Sequence, residues 1–318
     1  MSSTVATRRA ISYSFVGGDI TDILILYGGN SAERAVSVQS ALRVIEAFSK
    51  TEHRVLSLHW SGETPSEALL SLAQKSDAVF LALHGGTGEG GALQRALEQG
   101  GIFHYTGSDA TGSALALDKA RAKAAVAAVG VPVARGAVWE PFDPPPEISL
   151  PAIAKPLFGG SSVGLHHVRE RADLLAARSA EPLLLEEYLP GREFTVGVLE
   201  GKTLPAVEII PDGGVYDYEH KYTPGATREL CPAPIDAALA ERLDALALSA
   251  FRALGLRDLA RIDFKLNAQG EPCFLEANTL PGLTATSLLP LAAKTTGIPF
   301  PSLCERLAAL AAKRKRKP

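Results

Sequence analysis

The chain has 318 residues, of which 46% are hydrophobic and 21% charged, with a formal net charge of −3. This length suits about two or three compact lobes with a large buried core, and the slightly acidic balance argues against a nucleic-acid binder that relies on a basic surface. The three cysteines are too few and too widely spaced for a disulfide framework or a zinc site, which favours a reducing, cytoplasmic compartment.

Neither end of the chain predicts export or membrane insertion. Residues 1–21 include Arg8 and Arg9 but lack the apolar segment of a secretory signal, so we expect a flexible tail, with a transit peptide as the alternative. No apolar run approaches the ~18 residues that span a bilayer. The basic residues 313–318 continue a helical pattern, which favours a solvated helix end over a nuclear or nucleic-acid motif.

The chain opens with the pattern of an α/β domain. An apolar strand within residues 22–30 ends in two glycines, and apolar residues then recur at helical spacing from Val38 to Phe48. The turn lacks the G-x-G-x-x-G spacing of a dinucleotide site. Glu33 follows the strand at the edge where open α/β sheets bind ligands, although, taken alone, a charge that stabilises a helix N-terminus explains it better.

A glycine-rich loop follows a later predicted strand. Residues 77–91 run from an apolar strand into a loop with five glycines, His84 and Glu89. Glycine lets the backbone approach a ligand closely, so His84 is a candidate site residue. A purely structural histidine is the equal alternative.

The middle of the chain predicts a helix, a connector and a second glycine-rich loop. An alanine-rich helix from about Ser113 to Ala128 precedes a connector with five prolines at residues 140–151. Residues 152–168 have the pattern strand, Gly/Ser loop, strand, with Lys155 before the loop. The loop is not a Walker A motif, and its N–H groups suit phosphates in a manner closer to the protein-kinase arrangement. A plain glycine hairpin has the same composition.

Further strands and a polar loop follow. Residues 182–201 predict an apolar strand, a Pro-Gly turn and a second strand that begins near Glu193. The apolar strand could line a pocket for a flat nucleotide base. The polar segment 216–235 is typical of a mobile active-site loop. Residues 236–256 have the periodicity of a helix that packs on the core.

Two short strands near the C-terminal end carry paired polar residues. A tight hairpin would place Asp263 opposite Glu276 and Arg261 opposite Asn278. Opposed carboxylates repel unless a proton or cation lies between them, and such oxygen donors suit Mg²⁺ held together with phosphates. A hairpin with a solvated charged face is the alternative. Strict alternation would put three residues on the other face: Cys273, Leu275 and Ala277.

The order of the motifs resembles one family. Across residues 22–312 they are GGNSAERAVS, HGGTGEGG, YTGSDATGSALALDKARAK, KPLFGGSSVG, EEYLPGREFTV, HKYT, RIDF and FLEANTLPGLT. The chain resembles the D-alanine–D-alanine ligases of the ATP-grasp superfamily. The resemblance implies a three-lobed α/β fold: a Rossmann-like parallel-sheet domain at 22–118, a central ATP-grasp lobe at 119–200, and a C-terminal lobe with the metal and oxyanion site at 201–318.

The resemblance also implies a reaction. ATP would phosphorylate the carboxylate of a first D-alanine, and the amine of a second D-alanine would attack the acyl phosphate. The implied cofactors are ATP and Mg²⁺, as two ions, with Mn²⁺ as a substitute. The dipeptide would serve peptidoglycan synthesis in the cytoplasm, and the enzyme would be a homodimer without a nucleic-acid or membrane partner.

Matching motif to motif implies the site residues. The metal ligands would be Asp263, Glu276 and Asn278. The phosphates of ATP would contact Lys119, Lys155 and Lys221. The adenosine site would comprise Glu186, Glu187, Tyr188, Leu189 and Glu193. The oxyanion would be stabilised by Arg261 and the N–H of Gly282. The first amine would bind Glu33, which with Ser161 and Tyr222 would tie the mobile loop shut. The other substrate contacts would be His84, Ser287 and Leu288.

A few positions bear on specificity. Gly90 lies in the glycine-rich loop that begins at His84, residues 84–91, called the histidine loop below. The family usually has an aspartate at this position, so the glycine predicts a looser loop. Leu157 and Phe158 replace residues that are often polar in the family. Tyr222 favours a D-amino acid as second substrate, because ligases that use D-lactate carry histidine in that role. The alternatives are an ATP-grasp dipeptide ligase of other specificity and a non-catalytic nucleotide-binding regulator. The retained Arg261 argues against the regulator.

Overall fold

The computed structural model describes residues 21–160, 163–211 and 227–315. Within these ranges the chain forms three β-sheets, and no helix is long and apolar enough to cross a membrane. Nearly all of the predicted N-terminal tail lies outside them. So do three predicted site residues: Ser161, Lys221 and Tyr222.

The N-terminal part is the predicted open α/β layer. Its elements are β1 Asp22–Gly28, α1 Arg34–Phe48, β2 Arg54–Trp60, α2 Glu67–Lys75, β3 Ala78–Ala82, α3 Gly86–Glu89, α4 Ala92–Gln99 and α5 Ala110–Leu117. The next helix, α6 Lys119–Ala127, packs on the six-stranded sheet described below. β1 lies in the centre and pairs in parallel with β2 and β3. Residues 23–26 are all buried, because α1 covers one face of the sheet and α2 and α4 cover the other.

A small antiparallel sheet flanks the proline-rich connector, which joins its first two strands. Its elements are β4 Gly136–Trp139, β5 Ala152–Pro156, β6 His166–Val168, α7 Asp173–Ala177 and β7 Leu183–Glu187. The strand order is β4-β7-β5-β6. The glycine–serine loop joins β5 to β6, as predicted, and the sheet packs on a compact core of its own around Trp139 and Leu185.

A six-stranded antiparallel sheet forms the rest of the molecule. Its elements are β8 Glu193–Leu199, β9 Lys202–Thr203, β10 Val207–Pro211, β11 Thr227–Leu230, α8 Ala237–Ala253, β12 Leu259–Leu266, β13 Pro272–Asn278, α9 Leu288–Thr295 and α10 Phe300–Lys315. The order is β11-β10-β8-β12-β13, with β9 on β8. α6 and α8 pack on one face, while α9 and α10 join the other face to the N-terminal sheet. β8 belongs to this sheet, so the predicted boundary at residue 200 falls inside it.

The alanine-rich helix is two helices rather than one. The chain leaves the helical conformation at Asp118 (ψ 98°), whose carboxylate accepts a hydrogen bond from the N–H of Arg121 at 3.0 Å and caps α6. Aspartate favours such a cap over a helix interior, whereas the surrounding alanines only raise helix propensity. The break places Lys119 at the first position of α6, facing the larger cavity described below.

The predicted hairpin register is confirmed. β12 and β13 pair so that Arg261 opposes Asn278 and Asp263 opposes Glu276. β12 also pairs with β8 on its other side, so these polar residues lie on a central strand rather than on a free edge.

A β-bulge breaks the strict alternation that the sequence predicts for β13. After Asp263 the register shifts, and Phe264 pairs with Phe274. Phe274 is fully buried and meets Phe264 edge to face, with ring centroids 6.4 Å apart. The extra residue lets Leu275 and Glu276 both line the larger cavity, so the prediction that Leu275 faces away from Glu276 is wrong.

The basic C-terminal helix end is not merely solvated. Arg314 forms a bidentate ion pair with Asp258, with N–O distances of 2.7 and 2.8 Å, and Asp258 also accepts from the N–H of Gly107 at 2.9 Å. Lys315 lies 3.2 Å from the carboxylate of Asp77. For Arg314, which is half-buried and also donates to the carbonyls of Phe103 and Tyr105, the prediction of a solvated end is therefore wrong, whereas Lys315 is exposed as predicted.

Candidate active site

Every predicted site residue that the structure describes lines one of two cavities. The larger, about 630 Å³, lies between the small sheet and the six-stranded sheet. Its predicted residues are Glu33, Lys119, Lys155, Glu186, Glu187, Tyr188, Leu189, Glu193, Asp263 and Glu276. The smaller, about 90 Å³, lies beside the histidine loop. Its predicted residues are Glu33, His84, Arg261, Asn278, Gly282, Ser287 and Leu288. The larger cavity has the size of a small-molecule site.

A buried ion cluster forms one wall of the larger cavity. The Glu186 carboxylate lies 2.7 Å from Lys123 Nζ and also contacts Lys155 Nζ. Burial alone would raise the pKa of Glu186, but the charges of Lys123 and Lys155 outweigh it and lower that pKa to about 2. Glu186 therefore stays a charged hydrogen-bond acceptor at the cavity wall.

Lys119 connects the glycine–serine loop to β13. Its Nζ donates to the carbonyl of Gly159 at 2.6 Å and lies 4.0 Å from Glu276 Oε2. Lys155 lines the same cavity, so two buried cations face the opposed carboxylates. Cations and carboxylates on facing walls suit a polyphosphate bound with a divalent metal.

The opposed carboxylates form a hard oxygen donor set. Asp263 accepts hydrogen bonds from Thr195 Oγ1 at 2.6 Å and Asn278 Nδ2 at 3.1 Å, while Glu276 faces it from β13. Within the described ranges no three His, Cys, Asp or Glu side chains lie together at metal-ligand spacing. Two carboxylates and one amide are too few for an all-protein cage, but they fit Mg²⁺, which keeps several ligands from water and phosphates.

Apolar and polar groups share the base end of the larger cavity. Tyr188 packs against the ring of His167, with centroids 5.3 Å apart. Lys265 donates to Glu193 at 3.0 Å, so this predicted residue of the adenosine site is held by an ion pair. Of the two loop residues that depart from the family pattern, Phe158 lines the cavity and Leu157 is buried outside it.

Arg261 is fixed at the junction with the smaller cavity. Its Nε and Nη2 each donate to Asp263, both at 2.9 Å. The two residues are separated by one position on β12 and so share a face of the sheet. Across the smaller cavity, Ser287 Oγ accepts from the N–H of Thr284 at 2.8 Å and fixes the turn before α9.

His84 lines the smaller cavity, but both its ring nitrogens have partners within the chain. Nδ1 lies 2.9 Å from the carbonyl of Leu280, and Nε2 lies 2.9 Å from Ser40 Oγ. The carbonyl only accepts, so Nδ1 carries the proton and Nε2 accepts from the hydroxyl. Burial lowers the pKa of His84, which favours a neutral ring.

Comparison with known proteins decides the family. The family model described as D-ala D-ala ligase C-terminus matches residues 145–309. The D-alanine–D-alanine ligase of Anaeromyxobacter sp. (strain Fw109-5) is 42% identical over 298 residues, which cover 90% of this chain and 95% of that protein. The chain belongs to the D-alanine–D-alanine ligase family. The ligase of Aquifex aeolicus (strain VF5) is 40% identical, over 88% of this chain and 97% of its own length.

Solved structures of this ligase family share the fold. The Bacillus anthracis D-alanine–D-alanine ligase complexed with ATP has a TM-score of 0.80 and 27% identity, covering 94% of this chain and 99% of that one. The VanG D-Ala:D-Ser ligase of Enterococcus faecalis has a TM-score of 0.79 and 28% identity, covering 92% and 100%. The predicted ATP-grasp fold is thereby confirmed.

Three charged residues of this ligase site were missing from the sequence prediction. Lys123 lies four residues after Lys119, on the same face of α6, and that spacing was the available signal. Glu89 lies in the predicted glycine-rich loop, but the sequence assigns it no role. Glu229 on β11 lines the smaller cavity near Arg261, in a segment without periodicity.

Gly90 does not loosen the histidine loop of this ligase. Its N–H donates to the carbonyl of Gly86 at 2.9 Å, and a Cβ added at Gly90 would lie 2.5 Å from Leu117 Cδ2. Leu117 therefore occupies the space into which a side chain at position 90 would project. The expectation of a looser loop is not supported by this packing.

The contact between Gly90 and Leu117 predicts a coupled pair. Gly90→Asp should destabilise the fold by about 1–3 kcal/mol, as for overpacking, in urea unfolding. Combining it with Leu117→Ala should recover part of that loss, with Leu117→Ala alone as the control. Strict additivity of the two changes would contradict the assigned contact.

Proposed function

We propose that this chain joins two D-alanines into D-alanyl-D-alanine, using ATP and an acyl-phosphate intermediate. The observation that carries the proposal is the β12–β13 hairpin. Its opposed Asp263 and Glu276 face the nucleotide-sized cavity, while Arg261, tied to Asp263, lines the smaller cavity next door. One hairpin thus joins a site for phosphoryl transfer to a site for acyl chemistry.

The larger cavity would bind ATP through this chain's own charges. Lys119 and Lys155 would bind phosphate oxygens, and the charged Glu186 would accept from the amino group of adenine. Glu187, Tyr188, Leu189 and Glu193 would complete the adenosine site. Mg²⁺, as one or two ions held by Asp263, Glu276 and Asn278, would supply charge neutralisation at the transferred phosphate, with Mn²⁺ as a substitute.

The smaller cavity would hold the two amino acids. Glu33 lines both cavities and would accept the first ammonium; a Cβ added at Gly160 would lie 3.2 Å from its Oε2, so the glycine–serine loop reaches it. Arg261 and the N–H of Gly282 would stabilise the oxyanion. Ser287 and Leu288, at the start of α9, would hold the second carboxylate.

The remaining assignments concern closure of the mobile loop, the cellular compartment and the oligomeric state. Ser161, Lys221 and Tyr222 lie outside the described residues, and we infer their roles in phosphate binding and loop closure from their motifs alone. Closure would keep water from the acyl phosphate. The three cysteines are free thiols, which agrees with the proposed cytoplasmic setting. Homodimer formation stays a prediction.

A panel of second substrates tests the proposal. D-Alanine alone should stimulate ADP release and give the dipeptide, identified by mass, whereas L-alanine and D-lactate should give little product. D-Serine belongs in the panel because the VanG neighbour is a D-Ala:D-Ser ligase. A larger turnover with another amino acid would favour the alternative dipeptide ligase. ATP binding without ADP release in the presence of any of these substrates would favour the alternative of a non-catalytic nucleotide-binding regulator.

A further inference from the structure

Glu89 is a half-buried residue at the smaller cavity, and its carboxylate joins the histidine loop to the segment that follows β13. Its Oε2 accepts from the N–H of Gly85 in the histidine loop at 2.8 Å. Its Oε1 accepts from the N–H groups of Thr279 and Leu280 at 2.9 and 3.1 Å. Gly85 belongs to the N-terminal layer, while Thr279 and Leu280 follow β13 in the six-stranded sheet. One side chain therefore bridges two sheets that are far apart in sequence.

The segment held by Glu89 carries the predicted oxyanion donor. Thr279 and Leu280 lie between Asn278, a predicted metal ligand, and Gly282. On the far side, the N–H of Leu283 donates to Ser40 Oγ at 3.2 Å. Within the described part of the chain, the N–H of Gly282 donates to no protein atom. The segment is thus fixed on both sides of a donor that lines the smaller cavity.

Position 89 is an unfavourable environment for a carboxylate, so the glutamate there indicates that its hydrogen bonds are needed. Burial, and then the charge of Glu33, raise the pKa of Glu89 to about 7, although three backbone N–H groups favour the charged form. A neutral side chain of the same shape would avoid this cost. It would not accept at both ends of the bridge, because an amide has only one acceptor atom.

We propose that Glu89 is a positioning residue that aims the N–H of Gly282 at the tetrahedral oxyanion of the ligation step. This inference rests on the proposed function and deepens it. The oxyanion forms only when the second amine attacks the carbonyl carbon, so Glu89 acts on that step and not on phosphorylation. In ligation the C–N bond forms, the C–O bond to phosphate breaks, and the two protons lost by the ammonium pass to phosphate and solvent.

A slower ligation step has a measurable side reaction. If the amine attacks slowly, the acyl phosphate is instead lost to water at phosphorus, which breaks the P–O bond to the carboxylate and gives D-alanine and phosphate without passing through the tetrahedral oxyanion. ADP is then released without dipeptide. The ratio of dipeptide formed to ADP released therefore reports the ligation step separately from binding and phosphorylation. A general loss of stability would lower both products together and leave this ratio unchanged.

The decisive variant is Glu89→Gln. We expect the dipeptide-to-ADP ratio to fall below about half of the wild-type value, and dipeptide kcat to fall about tenfold, less than for removal of an oxyanion donor. The KM for ATP should stay within about twofold, because the nucleotide residues line the other cavity. An unchanged ratio in folded Glu89→Gln would overturn the proposal.

Glu98→Gln is the matched control. Glu98 Oε1 accepts from Tyr105 Oη and from the N–H of Ala110 at 3.0 Å, in the same layer, but Glu98 lines neither cavity. The dipeptide-to-ADP ratio of Glu98→Gln should equal that of the wild type. An equal drop of this ratio in Glu89→Gln and Glu98→Gln would also overturn the proposal. If Glu89→Gln does not fold, Glu89→Asp, which keeps the charge on a shorter arm, decides by the same ratio. If the wild-type chain makes no dipeptide, the proposed function itself is wrong, whatever the variants show.

Discussion

Arg261→Ala is expected to lower kcat for dipeptide formation by about 10²–10³-fold, the effect of losing one oxyanion donor. Arg261 lines the smaller cavity, and the predicted nucleotide residues line the larger one. ATP binding should therefore be largely retained. Steady-state kinetics with D-alanine and ATP varied separately measure both effects, because a loss confined to kcat marks an interaction made in the transition state.

Two further variants control the Arg261 prediction. Arg192 forms a similar bidentate pair with Glu208, at 2.6 and 2.7 Å, on the same sheet but outside both cavities. Arg192→Ala should leave kcat near normal. Arg261→Lys keeps the charge but loses the fork that grips Asp263, so its kcat should lie between those of the wild type and Arg261→Ala. Near-normal turnover of Arg261→Ala would rule out its assigned role.

The hairpin shows where sequence reasoning succeeds and where it stops. Two polar alternations joined by a short turn sufficed to predict that Asp263 opposes Glu276, because register follows from turn length and side-chain period. The bulge at Leu275 was not predictable in the same way. It depends on how Phe264 and Phe274 pack in a core built from distant helices, and that packing has no local signature.

The break at Asp118 has a different cause. Local propensity favours one continuous helix through DKARAKAA, and aspartate competes with it by capping α6. Tertiary contacts favour the break, since α6 in this position lets Lys119 donate to Gly159 and Lys123 contact Glu186. Motif matching supplied Lys119 but not Lys123, because the ion cluster around Glu186 exists only in the folded chain.

Glu89 and Glu229 illustrate a second limit of the sequence. The ordered motifs supplied most of the residues that we propose to contact ATP and the amino acids, since these residues lie within the motifs themselves. A residue that acts by holding another backbone segment, as we infer for Glu89, has contacts separated by about 190 positions. No local pattern predicts such a contact.

Glu276→Gln is expected to weaken the metal site without weakening the fold. Turnover at a Mg²⁺ concentration that saturates the wild type should fall by about 10²-fold, since a neutral amide replaces one of two carboxylates that neutralise the transferring phosphate. Without metal, Glu276 is repelled by Asp263 but attracted by Lys119 at 4.0 Å, so these effects oppose each other and the substitution should change the free energy of unfolding by less than about 1 kcal/mol.

Thermal unfolding with and without Mg²⁺ and ATP measures this directly. The wild type should gain stability from the ligands by mass action, and Glu276→Gln should gain less. Glu271→Gln, on the same hairpin but paired with Arg242 at the surface, is the control and should behave like the wild type. An equal ligand-induced shift and equal Mg²⁺ dependence in Glu276→Gln would remove Glu276 from the metal site. The bulge that turns Glu276 into the larger cavity would then serve packing alone.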